Sequence, residues 1–273
     1  DREWEIIVVD NNSKDHTRAV VEEAQRDWAL LLYEFEGEQG LSRARNHGIS
    51  VARGEVLLFT DDDVLPEPEW LEITLAGLTK YQADACGGYI GPIWESPPPP
   101  WLTERFYGFL AVRNDRSDDY IITEPSQAPF GANMAFRKGV FDLIGQFDTS
   151  RGRKGKVLAS GEDGELFERI LAAQLKVIFI GKSRVHHKVE SFRLTKRYFR
   201  RWRFQTSRNI AQSCGLAGGR RLFNIPLFVF PQFLRSIVRV AWGHLTQPSD
   251  EAFNREMVVC HFLGLMQGLY RSR

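Results

Sequence analysis

Gly54-Glu-Val-Leu-Leu-Phe-Thr-Asp-Asp-Asp63 decides how this chain is read. A glycine turn leads into an apolar run, Glu55–Thr60, that reads as a buried strand, and three carboxylates follow it at once. Pro66 and Pro68 then open a helix expected over Glu67–Tyr81. Upstream the pattern repeats. Glu5-Ile-Ile-Val-Val9 reads as a strand ending at the turn cluster Asp10-Asn-Asn-Ser13, and a helix follows from about Thr17. Leu30–Phe35 is a second strand, and Gly40-Leu-Ser42 caps a helix running to about Ala52. Units of this length imply an α/β fold, a mostly parallel sheet flanked by helices.

Farther along, Pro97–Pro100 reads as a surface connector and Ala128–Ala135 as a strand. Lys138–Ile144 is expected as a short helix, Gly152-Arg-Lys-Gly155 as a loop, and Ser160 as the cap of a helix over Gly161–Ala173. Val177–Ile180 is the last strand expected, with helix beyond Lys182. Phe230, Phe233, Leu234, Ile237, Val238, Ala241, Trp242 and Leu245 form an amphipathic stripe with Arg235 and Arg239 outside it. Two domains follow from this reading: residues 1–190, and a helical extension over 191–273.

With 273 residues and 43% apolar side chains, the chain can fill a real core, which excludes disorder and a small disulfide scaffold. Three cysteines (Cys86, Cys214, Cys260) without metal-like spacing suggest neither a disulfide framework nor a zinc site, and point to a reducing compartment. No apolar run reaches the roughly 20 residues that span a bilayer, and no signal peptide opens the chain, so a cytoplasmic location is expected. The net charge of +1 hides a segregation. Residues 1–180 carry 19 basic and 31 acidic side chains, and residues 181–273 carry 17 and 4. Between Ser191 and Ser249 there is no acidic residue against eleven Lys or Arg. Such a division suggests an acidic part that holds a cation and a basic part that faces something anionic.

Ligands of open α/β sheets bind beyond the carboxyl ends of the strands, where Asp10 and Asp61–Asp63 fall. Adjacent carboxylates repel one another, and a hard divalent cation relieves that repulsion. A magnesium-type ion takes one or two protein carboxylates and completes its shell with water or phosphate oxygens, which predicts a phosphate-bearing substrate. The competing reading is a solvated acidic turn before a helix N-terminus. Glu162-Asp163-Gly164-Glu165 has the same two readings. His186-His187, placed in a loop after the last strand, offers a metal ligand or a proton shuttle.

Taken in order, Val8-Val-Asp-Asn-Asn-Ser-Lys-Asp15, Gly40-Leu-Ser-Arg-Ala-Arg-Asn-His-Gly48 and Gly54–Asp63 resemble the inverting family 2 glycosyltransferases of GT-A fold. The resemblance continues through Phe130-Gly-Ala-Asn-Met-Ala-Phe-Arg137, Gly145-Gln-Phe-Asp148 and Gly161-Glu-Asp-Gly-Glu-Leu166, about residues 4–190 in all. It implies transfer of a sugar from a nucleotide-sugar to a hydroxyl acceptor, lipid-linked or polysaccharide, with Mg²⁺ or Mn²⁺. The pathways it suggests are polysaccharide, glycolipid or glycoprotein assembly. By resemblance, Asp10 recognises the nucleotide base, Asp61 lies near the ribose, Asp63 holds the metal, and Asp163 is the general base. His187, with His186 as the other candidate, is assigned to the metal or diphosphate. Asn12, Arg43, Arg45, Asp62 and Glu162 are assigned to substrate contacts. Members of the family carry a strand and helix ahead of the point where this chain opens, so those elements are expected to be missing.

Two rivals stand beside this reading. A nucleotidyltransferase also needs paired carboxylates and a metal, but it usually brings a Gly-rich phosphate loop, and none is evident here. A binding protein on an inactive scaffold would use Arg193–Arg208, where seven Lys or Arg interleave with Phe192, Tyr198, Phe199, Trp202 and Phe204. That pattern suits single-stranded nucleic acid, the weaker reading, or an anionic membrane. Residues 191–245 are expected to hold the chain peripherally at the cytoplasmic face of a membrane, unless the stripe packs on the catalytic domain.

Overall fold

The computed structural model describes residues 4–114, 117–153, 155, 158, 160–216 and 218–271. It divides into two compact units that interleave along the chain. The first is Asp1–Ile90, Arg116–Lys156 and Glu162–Val185, and the second is Gly91–Asp115, Val157–Gly161 and His186–Arg273. The expected boundary near residue 190 falls inside the second unit, because two long strands each begin in one unit and end in the other.

The first unit opens with β1 (Ile6–Asp10), α1 (Thr17–Ala24), β2 (Leu31–Phe35), α2 (Leu41–Val51), β3 (Val56–Phe59), β4 (Val64–Pro66) and α3 (Trp70–Lys80). β5 (Ala85–Trp94) follows, then β6 (Tyr120–Ile122), β7 (Met134–Arg137), α4 (Gly139–Ile144), α5 (Glu162–Ala172) and β8 (Val177–Val189). β1 and β2 pair in parallel from Ile6–Leu31 to Asp10–Phe35, as an α-helical crossover demands, and form a two-stranded sheet of their own. A six-stranded sheet runs β3-β7-β5-β8-β4, with β6 added on β8.

This larger sheet is mixed rather than mostly parallel. β7 lies antiparallel to both β3 and β5, and β6 antiparallel to β8. β7 is reached through short 3-10 turns at Pro125–Gln127 and Gly131–Asn133 instead of a helix, so nothing forces it to run parallel. The strand expected over Ala128–Ala135 is accordingly displaced to Met134–Arg137. α3 begins three residues later than expected, because Val64–Pro66 forms a strand and the Glu67 N–H still donates to the Arg184 carbonyl at 3.0 Å. Of the loop Gly152–Gly155, Lys154 lies outside the described residues, as do residues 1–3 at the chain's opening.

Phe136, Phe167 and Phe179 are fully buried in the core of this unit, and Leu57, Phe141 and Phe147 join them. Each buried ring contributes about 2 kcal/mol. A polar knot lies beside the core. Asn133 donates to the carbonyls of Tyr89 (3.0 Å) and Ser183 (2.9 Å) and accepts from Trp70 Nε1 (2.9 Å), tying α3, β5 and β8 to the turn before β7.

β8 is the largest departure from expectation. It runs 13 residues to Val189, so His186 and His187 lie within a strand and not in a loop after it. The alternation of buried Val185, His187 and Val189 with less buried neighbours is a strand period that the charged residues of this stretch conceal in the sequence. The helical reading beyond Lys182 therefore starts too early.

The second unit contains α6 (Lys196–Cys214), β9 (Arg221–Leu222), β10 (Ile225–Pro226), α7 (Val229–Thr246) and α8 (Ser249–Arg271). Thr195 caps α6 by accepting the Tyr198 N–H at 3.2 Å. An aromatic core joins Trp101, Phe106, Phe199 and Phe253, with Trp101–Phe253 centroids 4.9 Å apart and Phe106–Phe253 5.3 Å apart. α8 lies close on α6, since a Cβ on Gly264 would stand 2.2 Å from the Phe204 carbonyl oxygen. Tyr198 and Phe199 are buried and Trp202 packs against them. Tyr198 and Phe199 are therefore not free to stack on bases, whereas Phe192 of the same basic-aromatic stretch is 61% exposed.

Candidate functional site

α2 presents Ser42, Arg45 and Ile49 at helical spacing to the interior of the first unit, and Arg45 is the charged member of that buried face. Its Nη1 donates to Asp163 Oδ1 at 2.6 Å and stands 3.6 Å from Glu162 Oε1, while its Nη2 lies 3.8 Å from Asp61 Oδ1. Asp61 lies two residues beyond the end of β3, and Glu162 and Asp163 open α5. The strand-end and helix-start carboxylates, read separately in the sequence, thus meet on one guanidinium. Burial pulls the Arg45 pKa down, but the charges of Asp163, Asp61 and Glu162 more than reverse this and hold it above its ordinary value.

Gly131 closes the cluster. Its N–H donates to Asp163 Oδ2 at 2.9 Å, and a Cβ at this position would fall 1.7 Å from Arg45 Nη2. Asp163 therefore has one oxygen on a cation and the other on a backbone amide, which fixes its orientation. Glu162 is 5% exposed, and its Oε2 has no hydrogen-bond partner among the described residues. Burial first, and the adjacent Asp163 charge second, raise its pKa to about 7 against the opposing pull of Arg45. Gly152, at φ +84°, lets the preceding loop pass this carboxyl, for a Cβ there would meet Glu162 Oε2 at 3.2 Å.

Asp10 ends β1 and is buried. It accepts from the Ser13 N–H and from the Tyr33 hydroxyl, both at 2.8 Å. Burial would raise its pKa, but these hydrogen bonds and the Lys14 charge leave it below the ordinary carboxylate value. Asn12 takes a left-handed conformation (φ 58°) and holds the loop after β2, donating to the Gly37 carbonyl at 2.8 Å and accepting from Lys14 at 2.6 Å. Arg43 is not brought to the Arg45 cluster. Two residues apart on a helix lie on different faces, and Arg43 pairs instead with Glu38 at 2.8 Å.

Asp62 is exposed, whereas Asp61 and Asp63 are partly buried and the Oδ1 of Asp63 is shut off from solvent. Among the described residues no three His, Cys, Asp or Glu side chains converge to hold a metal ion by themselves. The oxygen-only set at Asp61–Asp63 still fits a hard divalent cation, which needs only one or two protein carboxylates when a diphosphate supplies further oxygens. In the second unit, His187 is 3% exposed and its Nε2 lies 3.3 Å from Arg193 Nη1. A guanidinium and a metal ion exclude each other at one nitrogen, so a metal at Nε2 requires Arg193 to withdraw.

Residues 1–145 match the family model described as glycosyl transferase family 2, just over half of the chain. This chain belongs to that family. The glucosyl-dolichyl phosphate glucuronosyltransferase of Haloferax volcanii is 29% identical to it over 191 residues, covering 69% of this chain and 60% of the relative. Glycosyltransferase AglE of the same organism is 27% identical over 233 residues, covering 85% and 71%. The chain thus spans between about three fifths and seven tenths of the length of these relatives. The structure of a mannosyltransferase from Pyrobaculum calidifontis, in complex with GDP-Man and Mn²⁺, shares the GT-A fold at a TM-score of 0.59 with 17% identity, covering 98% of this chain and 79% of that one.

Other motif residues hold the site together. In this family 2 domain Asn46 exchanges hydrogen bonds with the backbone of Phe147, donating at 2.9 Å and accepting at 3.0 Å, and so ties two motifs together. The Phe147 ring lies under Arg45, 5.3 Å from its guanidinium carbon. The supporting roles of Gly131, Asn133, Asn46 and Phe147 carry no signal in a single sequence beyond their place inside the motifs.

Proposed function

We propose that this chain transfers a sugar from a nucleoside-diphosphate sugar to an acceptor hydroxyl with inversion at the anomeric carbon, assisted by Mg²⁺ or Mn²⁺ at the strand-end carboxylates. The observation that carries the reading is the single cluster in which Arg45 bridges Asp61 and Asp163. It sets an acidic group suited to a donor's metal and ribose beside a carboxylate suited to act as base.

Asp163 takes the acceptor proton as its oxygen attacks, because a neutral hydroxyl is a poor nucleophile. Each Asp163 oxygen still has a lone pair after its bond to Arg45 or Gly131, so a hydroxyl can be received without breaking either. Asp61, Asp62 and Asn12 serve the donor, Asp10 the nucleotide base, and Glu162 the acceptor side. Asp63 would hold the cation, with His187 as a further candidate. When bound, the cation offsets the charge that develops on the departing diphosphate.

The named activity of the Haloferax volcanii glucuronosyltransferase favours a lipid-phosphate-linked acceptor. On this proposal the reaction runs at the cytoplasmic face of a membrane, in polysaccharide, glycolipid or glycoprotein assembly. The experiment is a screen of nucleotide-sugars for metal-dependent hydrolysis and transfer, with Asp163→Asn alongside. The variant should bind donor as before and turn over roughly 10²-fold more slowly. Near-normal turnover would move the base role to Glu162.

A further inference from the structure

α7 does not bury the stripe that its sequence advertises. Val229, Ser236 and Gly243 form its buried seam, and Phe233 and Val240 complete that face. The seam uses small residues: a Cβ on Gly243 would approach Arg255 Cδ of α8 to 2.9 Å, and the Phe233 ring meets Phe262 edge-on at 6.4 Å. The larger apolar residues point elsewhere. Leu234 is 61% exposed, Val238 68%, Trp242 64% and Leu245 83%, with Ile237 also exposed. At about 100° per residue these five occupy an arc of roughly 140° on the side away from the seam.

The charge around this arc has one sign. Arg235 and Arg239 follow Trp242 at its border and are exposed, and the turn leading into α7 carries exposed Arg220 and Arg221. No acidic residue lies between Ser191 and Ser249. Of the three acids on α8, Asp250 stands in its first turn and the other two are paired. Glu251 is held by Arg105 and Arg255, and Glu256 by Arg200 and by His244 at 3.0 Å. A further exposed apolar side chain stands at the β9–β10 turn, where Phe223 (φ 51°) is 70% exposed with its ring 6.4 Å from that of Tyr270.

We propose that the exposed face of α7 docks on an anionic lipid surface, with Leu234, Val238, Trp242 and Leu245 entering the interface and Arg235 and Arg239 meeting the headgroups. A helix that lies in a membrane plane combines a wide apolar face with a basic border, and an amphipathic ring such as Trp242 suits the headgroup level. At 18 residues α7 is about 27 Å long, enough to rest on the surface. No helix among the described residues is long and apolar enough to cross a membrane. The basic-aromatic segment Arg193–Arg208 supplies core, and the stripe supplies the docking face.

Flotation with vesicles tests this independently of turnover. The intact chain is mixed with vesicles of phosphatidylcholine alone, or with phosphatidylglycerol added, at low and high salt. Binding is expected to the anionic vesicles and to weaken as salt rises. Arg235→Gln with Arg239→Gln should lower the affinity about 30-fold, as two lost headgroup contacts imply. Val238→Glu with Trp242→Glu should abolish binding, with an unchanged thermal melt because both side chains are exposed. Leu263→Glu, an exposed position of α8, should leave binding as it is. Recovery in the soluble fraction under all conditions would overturn the proposal. So would equal binding to neutral vesicles, or a concentration-dependent dimer that the Val238 and Trp242 changes dissolve.

Discussion

Arg45 Nη1 and Asp163 Oδ1 are 2.6 Å apart although 118 residues separate them in the chain. The contact ties the buried face of α2 to the first turn of α5, and it is the strongest of the three pairings that gather Asp61, Glu162 and Asp163. A guanidinium is needed here. Its fork of donors can address three carboxylates at once, where a lysine ammonium would be a single point charge.

Gly131→Ala should separate catalysis from stability. The added Cβ would collide with the end of the Arg45 side chain and not with backbone, so Arg45 yields by giving up its carboxylates. The expected loss of stability is about 2 kcal/mol, near 5 °C in melting temperature. Transfer should fall by roughly 10²-fold, since Arg45 and Asp163 shift together. A variant with wild-type turnover would show that the cluster does not position the base.

Glu162 makes stability depend on pH with a definite sign. Its pKa is about 7 in the folded protein against 4.5 for the ordinary group. Between those values the folded state holds a proton that the unfolded chain has released. The stabilisation is therefore complete below pH 4.5 and is lost as pH rises through 7. The slope from this group is at most about 1.4 kcal/mol per pH unit. Glu162→Gln should flatten that segment in denaturant titrations at a series of pH values. An unchanged slope would assign the dependence to another group.

Nucleotide binding should require a divalent cation. Asp61–Asp63 set negative charge where a diphosphate must approach, and a divalent cation between them relieves the repulsion. Calorimetry with Mn²⁺ and with EDTA should give a clear difference in nucleotide affinity for the wild type. For Asp63→Asn the two titrations should coincide at the weak value, with an unchanged melting temperature. Equal affinities in the wild type would refute the metal assignment.

Much of this was legible in the residues themselves. The short apolar runs ending at Asp10 and just before Asp61 are strands because their apolar length and turn residues allow little else, and α1, α2 and α3 follow from helical spacing. Sequence alone also brought out the acidic clusters, the motif order that marks family 2, and the apolar stripe of α7. Tertiary structure decided the rest. That Arg45 joins the acidic cluster while Arg43 leaves it for Glu38 depends on which face of α2 is buried. That His187 sits inside a strand depends on partners for β8 that lie far away in the chain. The stripe of α7 stays outside because the small seam at Ser236 and Gly243 allows closer helix approach than Leu or Trp would. Periodicity reports that a face is apolar, and only the packing of neighbouring elements determines whether that face is covered.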